Sequence, residues 1–108
     1  MTLVNHDYEN RIDNFKNNLL NAIRICNLEL ANRKNGINGE STVEQLEEII
    51  IPELNQILYM INSNQLPPKE ERYLKSFADA FKVWGWNMQT PSNIFVLLLQ
   101  LNNAYKNI

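Results

Sequence analysis

Apolar residues recur along this chain at spacings of three and four, which is the pattern of helices that bury one face. In the first segment, about residues 8–34, the apolar stripe consists of Tyr8, Ile12, Phe15, Leu19, Ala22, Cys26 and Leu30. At about 1.5 Å per residue this helix is roughly 40 Å long, so we expect the other segments to pack along it. Asp7 is its expected N-cap, because a carboxylate there can accept a hydrogen bond from a free backbone N–H.

The second segment, about residues 42–63, begins with two overlapping capping boxes, Ser41 with Glu44 and Thr42 with Gln45. Either box satisfies two backbone N–H groups at the start of a helix. The aliphatic stripe of this segment consists of Val43, Leu46, Ile50, Leu54, Ile57 and Ile61. Pro52 interrupts the stripe, and proline removes a helical hydrogen bond and crowds the carbonyl four residues earlier. We therefore predict a kink or a break near residue 51, with Pro52 opposite the core.

Two further amphipathic segments follow. The third, about residues 67–84, carries an aromatic-rich stripe of Tyr73, Phe77, Ala80, Phe81 and Trp84. The fourth, about residues 91–106, carries a stripe of Ile94, Leu97, Leu98, Leu101 and Tyr105. Proline suits the first turn of a helix, so we expect the third helix to begin at Pro67. The fourth is expected to begin at Pro91, with Thr90 as its N-cap.

The segments are separated by short runs rich in Gly, Pro and Asn, around residues 35–39, 66–68 and 84–91. Asn-Gly pairs favour the left-handed backbone that closes a helix. Four amphipathic segments with short connections pack most simply as an antiparallel four-helix bundle, with five helices if Pro52 breaks the second. A chain of 108 residues is the size of one domain. We therefore predict a single all-α domain over residues 1–108.

Composition narrows the class of protein. The net charge is −2, and this mild acidity argues against nucleic-acid binding, which depends on clustered Lys and Arg. The longest unbroken apolar run, residues 94–99, is far short of the ~20 residues that span a membrane. A lone cysteine, Cys26, and a start that lacks the features of a secretory signal lead us to expect a cytoplasmic protein.

Candidate catalytic groups are sparse. His6 is the single histidine and lies near the start of the chain, while Cys26 falls on an apolar stripe with no histidine spaced to activate it. Zinc sites need several Cys or His ligands, so we expect no metal or cofactor. Glu44 and Glu47 form a pair that resembles one of the two acidic pairs of all-helical, Mg²⁺-dependent nucleotide pyrophosphatases of the MazG type. The place of the second pair, residues 76–79, offers a single carboxylate, Asp79.

Charge is distributed unevenly along the chain. Between Lys34 and Lys69 there is no Lys or Arg, and the acidic residues there are Glu40, Glu44, Glu47, Glu48 and Glu53. If the second helix is regular, an outer face carries two of these glutamates and an aromatic residue, with one more glutamate and an isoleucine at its border. We name this surface the acidic face and define it as Glu44, Glu47, Glu48, Ile51, Asn55 and Tyr59. Such a face attracts a partner with a basic surface.

Two apolar features are also candidates for partner contacts. Trp86 lies beyond Gly85, outside any stripe, and is either an interface residue or a lid over the end of the bundle. Phe95, Val96 and Leu99 lie outside the stripe of the fourth helix. A helix that is apolar all round is either central in its bundle or paired with another chain, so a homodimer through these three residues is a further hypothesis.

Together these features predict a non-enzymatic binding protein, either an inhibitor or a toxin-neutralising immunity protein. In this hypothesis the acidic face, together with Trp86, covers the basic groove of a protein partner. The alternatives are a Mg²⁺-dependent enzyme similar to the nucleotide pyrophosphohydrolases and a homodimeric adaptor bundle. No nucleic-acid or membrane partner is expected.

Overall fold

The computed structural model describes residues 2–108, with side chains from Tyr8 onward. This part of the chain contains four α-helices: α1 (Thr2–Lys34), α2 (Ile51–Asn62), α3 (Lys75–Lys82) and α4 (Asn93–Asn107). A π-helix, Gln45–Ile50, runs directly into α2, and a 3₁₀-helix, Lys69–Glu71, precedes α3. Residues 2–108 include no strand, which confirms the all-α prediction. The side chain of His6 lies outside the described residues.

The helix α1 is the spine of the fold, since both α2 and α4 pack against it and α3 packs against α4. Lys34, at the end of α1, forms an ion pair of 2.6 Å with Glu47, near the start of the second helix. At the other end of the same two helices, Tyr8 and Ile61 line a common cleft. The first two helices are therefore antiparallel, and the prediction of four packed helices is confirmed.

The boundaries of α1 differ from the prediction at one end and agree at the other. The helix begins at Thr2, so Asp7 lies within it and is not its N-cap; the Asp7 side chain lies outside the described residues. At the other end Gly36 adopts φ +83°, the left-handed conformation that glycine accepts without strain. The N–H of Ile37 donates to the carbonyl of Asn32 at 2.9 Å, which completes a Schellman motif.

Arg33 organises the loop that follows α1. Its guanidinium donates to the carbonyls of Ser41 (2.7 Å) and Ile37 (3.3 Å) and forms an ion pair with Glu29 (2.6 Å). The loop passes so close that a Cβ on Gly39 would overlap the Arg33 guanidinium. One side chain of α1 therefore fixes the path of the chain into the second helix.

The second helix begins at the later of the two predicted capping boxes. The N–H of Gln45 donates to Thr42 Oγ1 at 3.1 Å, and the N–H of Thr42 donates to Gln45 Oε1 at 3.0 Å. Ser41 is buried instead, where its hydroxyl accepts a hydrogen bond from the Arg33 guanidinium. The box of Ser41 and Glu44 therefore does not form, because Arg33 holds the serine.

Pro52 does not break the helix. The N–H of Ile51 donates to the carbonyl of Leu46, five residues earlier, and both Ile50 and Ile51 keep right-handed helical backbone angles. A π-helix adjoining the proline accommodates a position that lacks an N–H and crowds the preceding turn. Pro52 is exposed, as predicted, and the five-helix alternative is not formed.

The third helix is much shorter than predicted. It begins at Lys75 and not at Pro67, and the residues before it include Arg72 in an extended conformation. The N–H of Leu74 donates to the Asn102 side chain at 2.8 Å, which ties this extended stretch to α4. Tyr73 and Phe81, predicted to face the core, are therefore exposed, while Leu74 and Ser76 are buried.

The fourth helix begins two residues later than predicted. Ser92 is the N-cap, with its hydroxyl accepting the N–H of Phe95 at 3.3 Å. Thr90 belongs to a turn instead, since the Asn87 side chain accepts the N–H groups of Gln89 (2.8 Å) and Thr90 (3.1 Å). The asparagine side chain thus stabilises a turn that contains Thr90, and the helix begins only after it.

One hydrophobic core joins all four helices. Its largest fully buried apolar side chains are Phe15, Leu19, Leu46, Ile50, Leu54, Leu74, Ile94, Phe95 and Leu98. Phe15 of α1 stacks on Tyr105 of α4 with ring centroids 5.5 Å apart. The middle of the stripe predicted for α1 is confirmed, whereas Tyr8 at its start is 41% exposed.

Candidate functional site

The acidic face lies on the outer side of the helical run formed by residues 43–62. Glu44, Glu48, Asn55 and Tyr59 are all exposed, and Tyr59 is 60% accessible to solvent. Ile51 is half-buried and packs against the core. Glu47 is exposed as well, so the structure brings five of the six predicted residues to the surface of one helical run, while Ile51 contributes mainly to the interior.

Glu47 has a structural partner. Its carboxylate forms a 2.6 Å ion pair with Lys34 at the end of α1, and both side chains remain about half exposed. This pair joins the end of α1 to the start of the second helix and neutralises the charge of Glu47 locally. A surface pair of this kind contributes at most about 1 kcal/mol to stability. Glu47 consequently adds less to the negative potential than its position in the sequence indicated.

Two more glutamates of the acidic stretch are used inside the fold. Glu40 accepts the N–H of Asn87 at 2.7 Å, which links the first loop to the connection between α3 and α4. Glu53 accepts the N–H groups of Lys75 and Ser76 at 2.7 and 2.8 Å, so that it caps α3 from α2. Neither role could be predicted from a local pattern, because the partners are 22 to 47 residues away along the chain.

Glu44 and Glu48 are the two carboxylates of this stretch that remain unengaged. Neither takes part in the ion pairs formed by the described side chains. Both are exposed and lie one turn apart on the same helical run. The negative potential of the acidic face is therefore concentrated at its amino-terminal end, with Asn55 and Tyr59 further along.

Trp86 is not part of this surface. It is 5% exposed, and its ring packs edge-on against Phe95 with centroids 5.5 Å apart. Its backbone N–H donates to the carbonyl of Ala80 at 3.0 Å. Gly85, with φ +66°, turns the chain so that Trp86 folds onto the core. Of the two interpretations of Trp86, an interface residue or a lid over the end of the bundle, the structure therefore supports the lid. The side chain is not accessible to a partner.

The residues suggested for a homodimer are divided between core and surface. Phe95 is 2% exposed, because Phe77 and Trp86 pack on it, so it belongs to the interior. Val96 is half-buried and Leu99 is 38% exposed. Sequence reasoning missed the exposure of Phe81, whereas Met88, which it placed in the candidate corner with Trp86, is exposed.

Cys26 is an interior residue. Its side chain is 1% exposed, and burial, with a smaller effect of Glu29, raises the pKa of the thiol to about 12. A thiol with so high a pKa carries almost no nucleophilic thiolate at neutral pH. The interpretation of Cys26 as a small buried apolar residue is confirmed.

The described side chains offer no ligand set for a metal ion. No three His, Cys, Asp or Glu residues among those described lie close enough together to hold one. Asp79, at the place of the second acidic pair, is bound to Lys75 at 2.9 Å. The geometry thus adds no support to the magnesium-dependent alternative.

A cleft with a volume of about 290 Å³ lies at the far end of α1 and α2. Its lining consists of Tyr8, Glu9, Ile12, Asp13, Ile61, Asn64 and Leu66. It shares no residue with the acidic face, and two of its lining residues, Glu9 and Asp13, carry carboxylates.

Among the described residues, no helix combines the length and the apolar character that crossing a bilayer requires. Comparison of the chain with protein-family models, with curated proteins and with solved structures returns no match.

Proposed function

We propose that this chain is a non-enzymatic protein-binding protein whose acidic face docks a partner with a basic surface. The observation that carries the proposal is the state of Glu44 and Glu48. They are exposed and outside the ion pairs of the described residues, whereas Glu40, Glu47 and Glu53 of the same stretch are engaged in the fold.

The acidic face has the properties of a surface that steers a charged partner. With no Lys or Arg between Lys34 and Lys69, Lys34 is the one basic side chain paired with this face among the described residues. A surface of one charge attracts the opposite charge over long distances and increases the association rate. Tyr59 adds an exposed ring with a hydroxyl group, and tyrosine is enriched among the residues that contribute most to binding.

The position of the face on a fixed helix supports a docking role. The capping box of Thr42 and Gln45 and the ion pair of Glu47 with Lys34 hold the amino-terminal end of this helix. Because a rigid surface loses little conformational entropy on binding, more of the interaction energy appears as affinity.

Within this class we propose an inhibitor or a toxin-neutralising immunity protein. A protein that acts on nucleic acid carries Lys and Arg side chains that bind phosphate groups. Carboxylates such as those of Glu44 and Glu48 can form charge-assisted hydrogen bonds with the same side chains. A bound acidic helix would then occupy the groove that the nucleic acid needs.

The test compares three versions of the chain as immobilised bait for proteins of the source cell. These are the wild type, the double variant Glu44→Lys/Glu48→Lys, and a control, Glu70→Lys/Glu71→Lys. The control makes the same change of charge at two exposed glutamates of the 3₁₀-helix. We expect a basic protein to be retained by the wild type and by the control but not by the acidic-face variant.

Thermal unfolding of all three proteins checks that the fold is unchanged, since substitutions at exposed sites alter stability by about 0.5 kcal/mol or less. Retention should also fall as salt increases, because salt screens exposed charges. Equal retention by the wild type and the Glu44→Lys/Glu48→Lys variant would exclude the acidic face as the docking site.

A further inference from the structure

A second surface of the molecule is apolar and lies away from the acidic face. It is formed by α3, by the connection after it and by the outer side of α4. We name it the neutral patch and define it as Phe77, Phe81, Met88, Pro91, Val96 and Leu99. Three of these side chains are largely accessible: Phe81 is 48% exposed, Met88 50% and Leu99 38%.

The neutral patch is continuous and contains a depression. Phe81 stacks on Phe77 with ring centroids 6.4 Å apart, and Phe77 lines a cavity of about 70 Å³ together with Met88, Pro91, Phe95, Val96 and Leu99. Val96 and Leu99 are three residues apart on α4, so they stand on the same outer side of that helix. Exposed apolar side chains grouped in this way mark interaction sites more often than single ones do.

Four of the six residues of the neutral patch, Met88, Pro91, Val96 and Leu99, lie in a stretch of the chain without charge, whereas Phe77 and Phe81 lie on α3, which also carries Lys75, Asp79 and Lys82. From Val83 to Tyr105 there is no Asp, Glu, Lys or Arg. The exposed polar residues of this stretch include Gln89, Asn93 and Asn103, which are neutral amides. An amide both donates and accepts hydrogen bonds, so it can pair with an identical amide, which a carboxylate or an ammonium group cannot do.

We infer that the neutral patch binds a second copy of this chain across a two-fold axis. In such an interface the same surface is present on both sides, so the patch as a whole must complement itself, and groups close to the axis meet their own kind. Apolar side chains and amides meet this condition, whereas acidic faces repel one another. A basic partner would find no carboxylate within Val83–Tyr105, so it would bind the acidic face instead. The neutral patch then remains free to bind a second copy of the chain.

The dimer is expected to be weak. Stable interfaces use about 20–30 residues on each side, and the neutral patch has far fewer. It should therefore form at high protein concentration and dissociate on dilution. This inference is independent of the acidic face, because the experiment that tests it uses the chain alone.

Sedimentation velocity over a range from ~10 µM to ~1 mM measures the association, since weak complexes have dissociation constants within this range. We expect the wild type to shift from monomer to dimer. Leu99→Glu and Met88→Glu place like charges within the interface and should keep the chain monomeric throughout. Leu28→Glu, at a residue of α1 that is 55% exposed, is the control and should dimerise like the wild type.

A second measurement needs no variant. In spectra of the methyl groups, the signals of Met88, Val96 and Leu99 should move as the concentration increases, whereas those of Leu28 should not. A wild type that remains monomeric at the highest concentration overturns the inference. So does a dimer that persists in both patch variants, or methyl shifts that fall outside the neutral patch.

Discussion

The carboxylate of Glu53, on α2, accepts hydrogen bonds from both the backbone N–H and the hydroxyl of Ser76, at 2.8 and 2.5 Å. Ser76 is fully buried, and α3 begins one residue before it, at Lys75. The first N–H groups of a helix have no partner within the helix. In α3 they are therefore satisfied by a side chain of another helix, which links the start of α3 to α2.

Replacement of Glu53 by alanine should destabilise the fold. It leaves the N–H and the hydroxyl of the buried Ser76 without their acceptor, and an unsatisfied buried group costs about 1–3 kcal/mol, whereas water can replace the lost acceptor of the exposed Lys75 N–H. Unfolding in urea measures the loss. Glu48→Ala, which removes an exposed carboxylate, is the control and should change stability by about 0.5 kcal/mol or less. Equal stability of the two variants would show that Glu53 does not cap α3.

Gly39→Ala should also be destabilising, although this glycine is exposed. A Cβ at this position would overlap the Arg33 guanidinium, so this side chain would have to shift and weaken its hydrogen bonds to the carbonyls of Ser41 and Ile37. We expect a loss of about 0.5–3 kcal/mol, the usual range for a destabilising substitution. Asn38→Ala, in the same loop, is the control for thermal unfolding. A Gly39→Ala protein as stable as this control would contradict the role assigned to Arg33.

Two adjacent leucines provide a matched test of the core. Leu19 is 0% exposed and Leu20 is 43% exposed. Leu19→Ala removes buried methyl groups and leaves a cavity, at a cost of about 2–5 kcal/mol, whereas Leu20→Ala should cost much less. Urea unfolding of both variants measures the difference. Similar losses would mean that the inward side of α1 has been misassigned.

Because of Cys26, the free energy of unfolding should fall in alkaline solution. Its thiol has a pKa of about 12 in the folded chain, against 9.0 as the reference value. Above the lower value the unfolded chain releases the thiol proton while the folded chain retains it, so unfolding is favoured. The stabilisation is complete below pH 9 and is lost as the pH rises towards 12. The slope approaches about 1.4 kcal/mol per pH unit.

The control for this pH dependence is Cys26→Ala. Burial also raises the pKa of Tyr105, so the variant will still lose some stability in alkali. The difference between the two proteins, measured by urea unfolding from about pH 8 to about pH 10, isolates the thiol. If the two curves remain parallel, the thiol is not protected by the fold.

Patterns within single segments were sufficient to predict most of the fold. The stripe from Phe15 to Cys26, the left-handed Gly36 and the box of Thr42 with Gln45 all depend on residues a few positions apart. The start of α3 depends instead on Glu53, which is 22 residues before Lys75. No local pattern contains that information, so sequence reasoning predicts a start at Pro67, where a proline suits the first turn of a helix.

The candidate site was predictable to a similar degree. The exposure of Glu44, Glu48 and Tyr59 follows from the periodicity of the second helix. The engagement of Glu40 and Glu53 does not, because their hydrogen-bond partners are brought close only when the chain folds. Trp86 was ambiguous for the same reason, since the ring that covers it belongs to Phe95, on the next helix.

The π-helix before Pro52 also determines how the surface of the second helix is arranged. Its hydrogen bonds join residues five apart, one more than in an α-helix. Each residue turns an α-helix by about 100°, so the extra residue rotates Glu44 by roughly that angle from the place that a regular helix would give it relative to Asn55 and Tyr59. The carboxylate end of the acidic face and its aromatic end consequently lie on adjacent sides of the helix. A partner that contacts both ends has to curve around the helix axis.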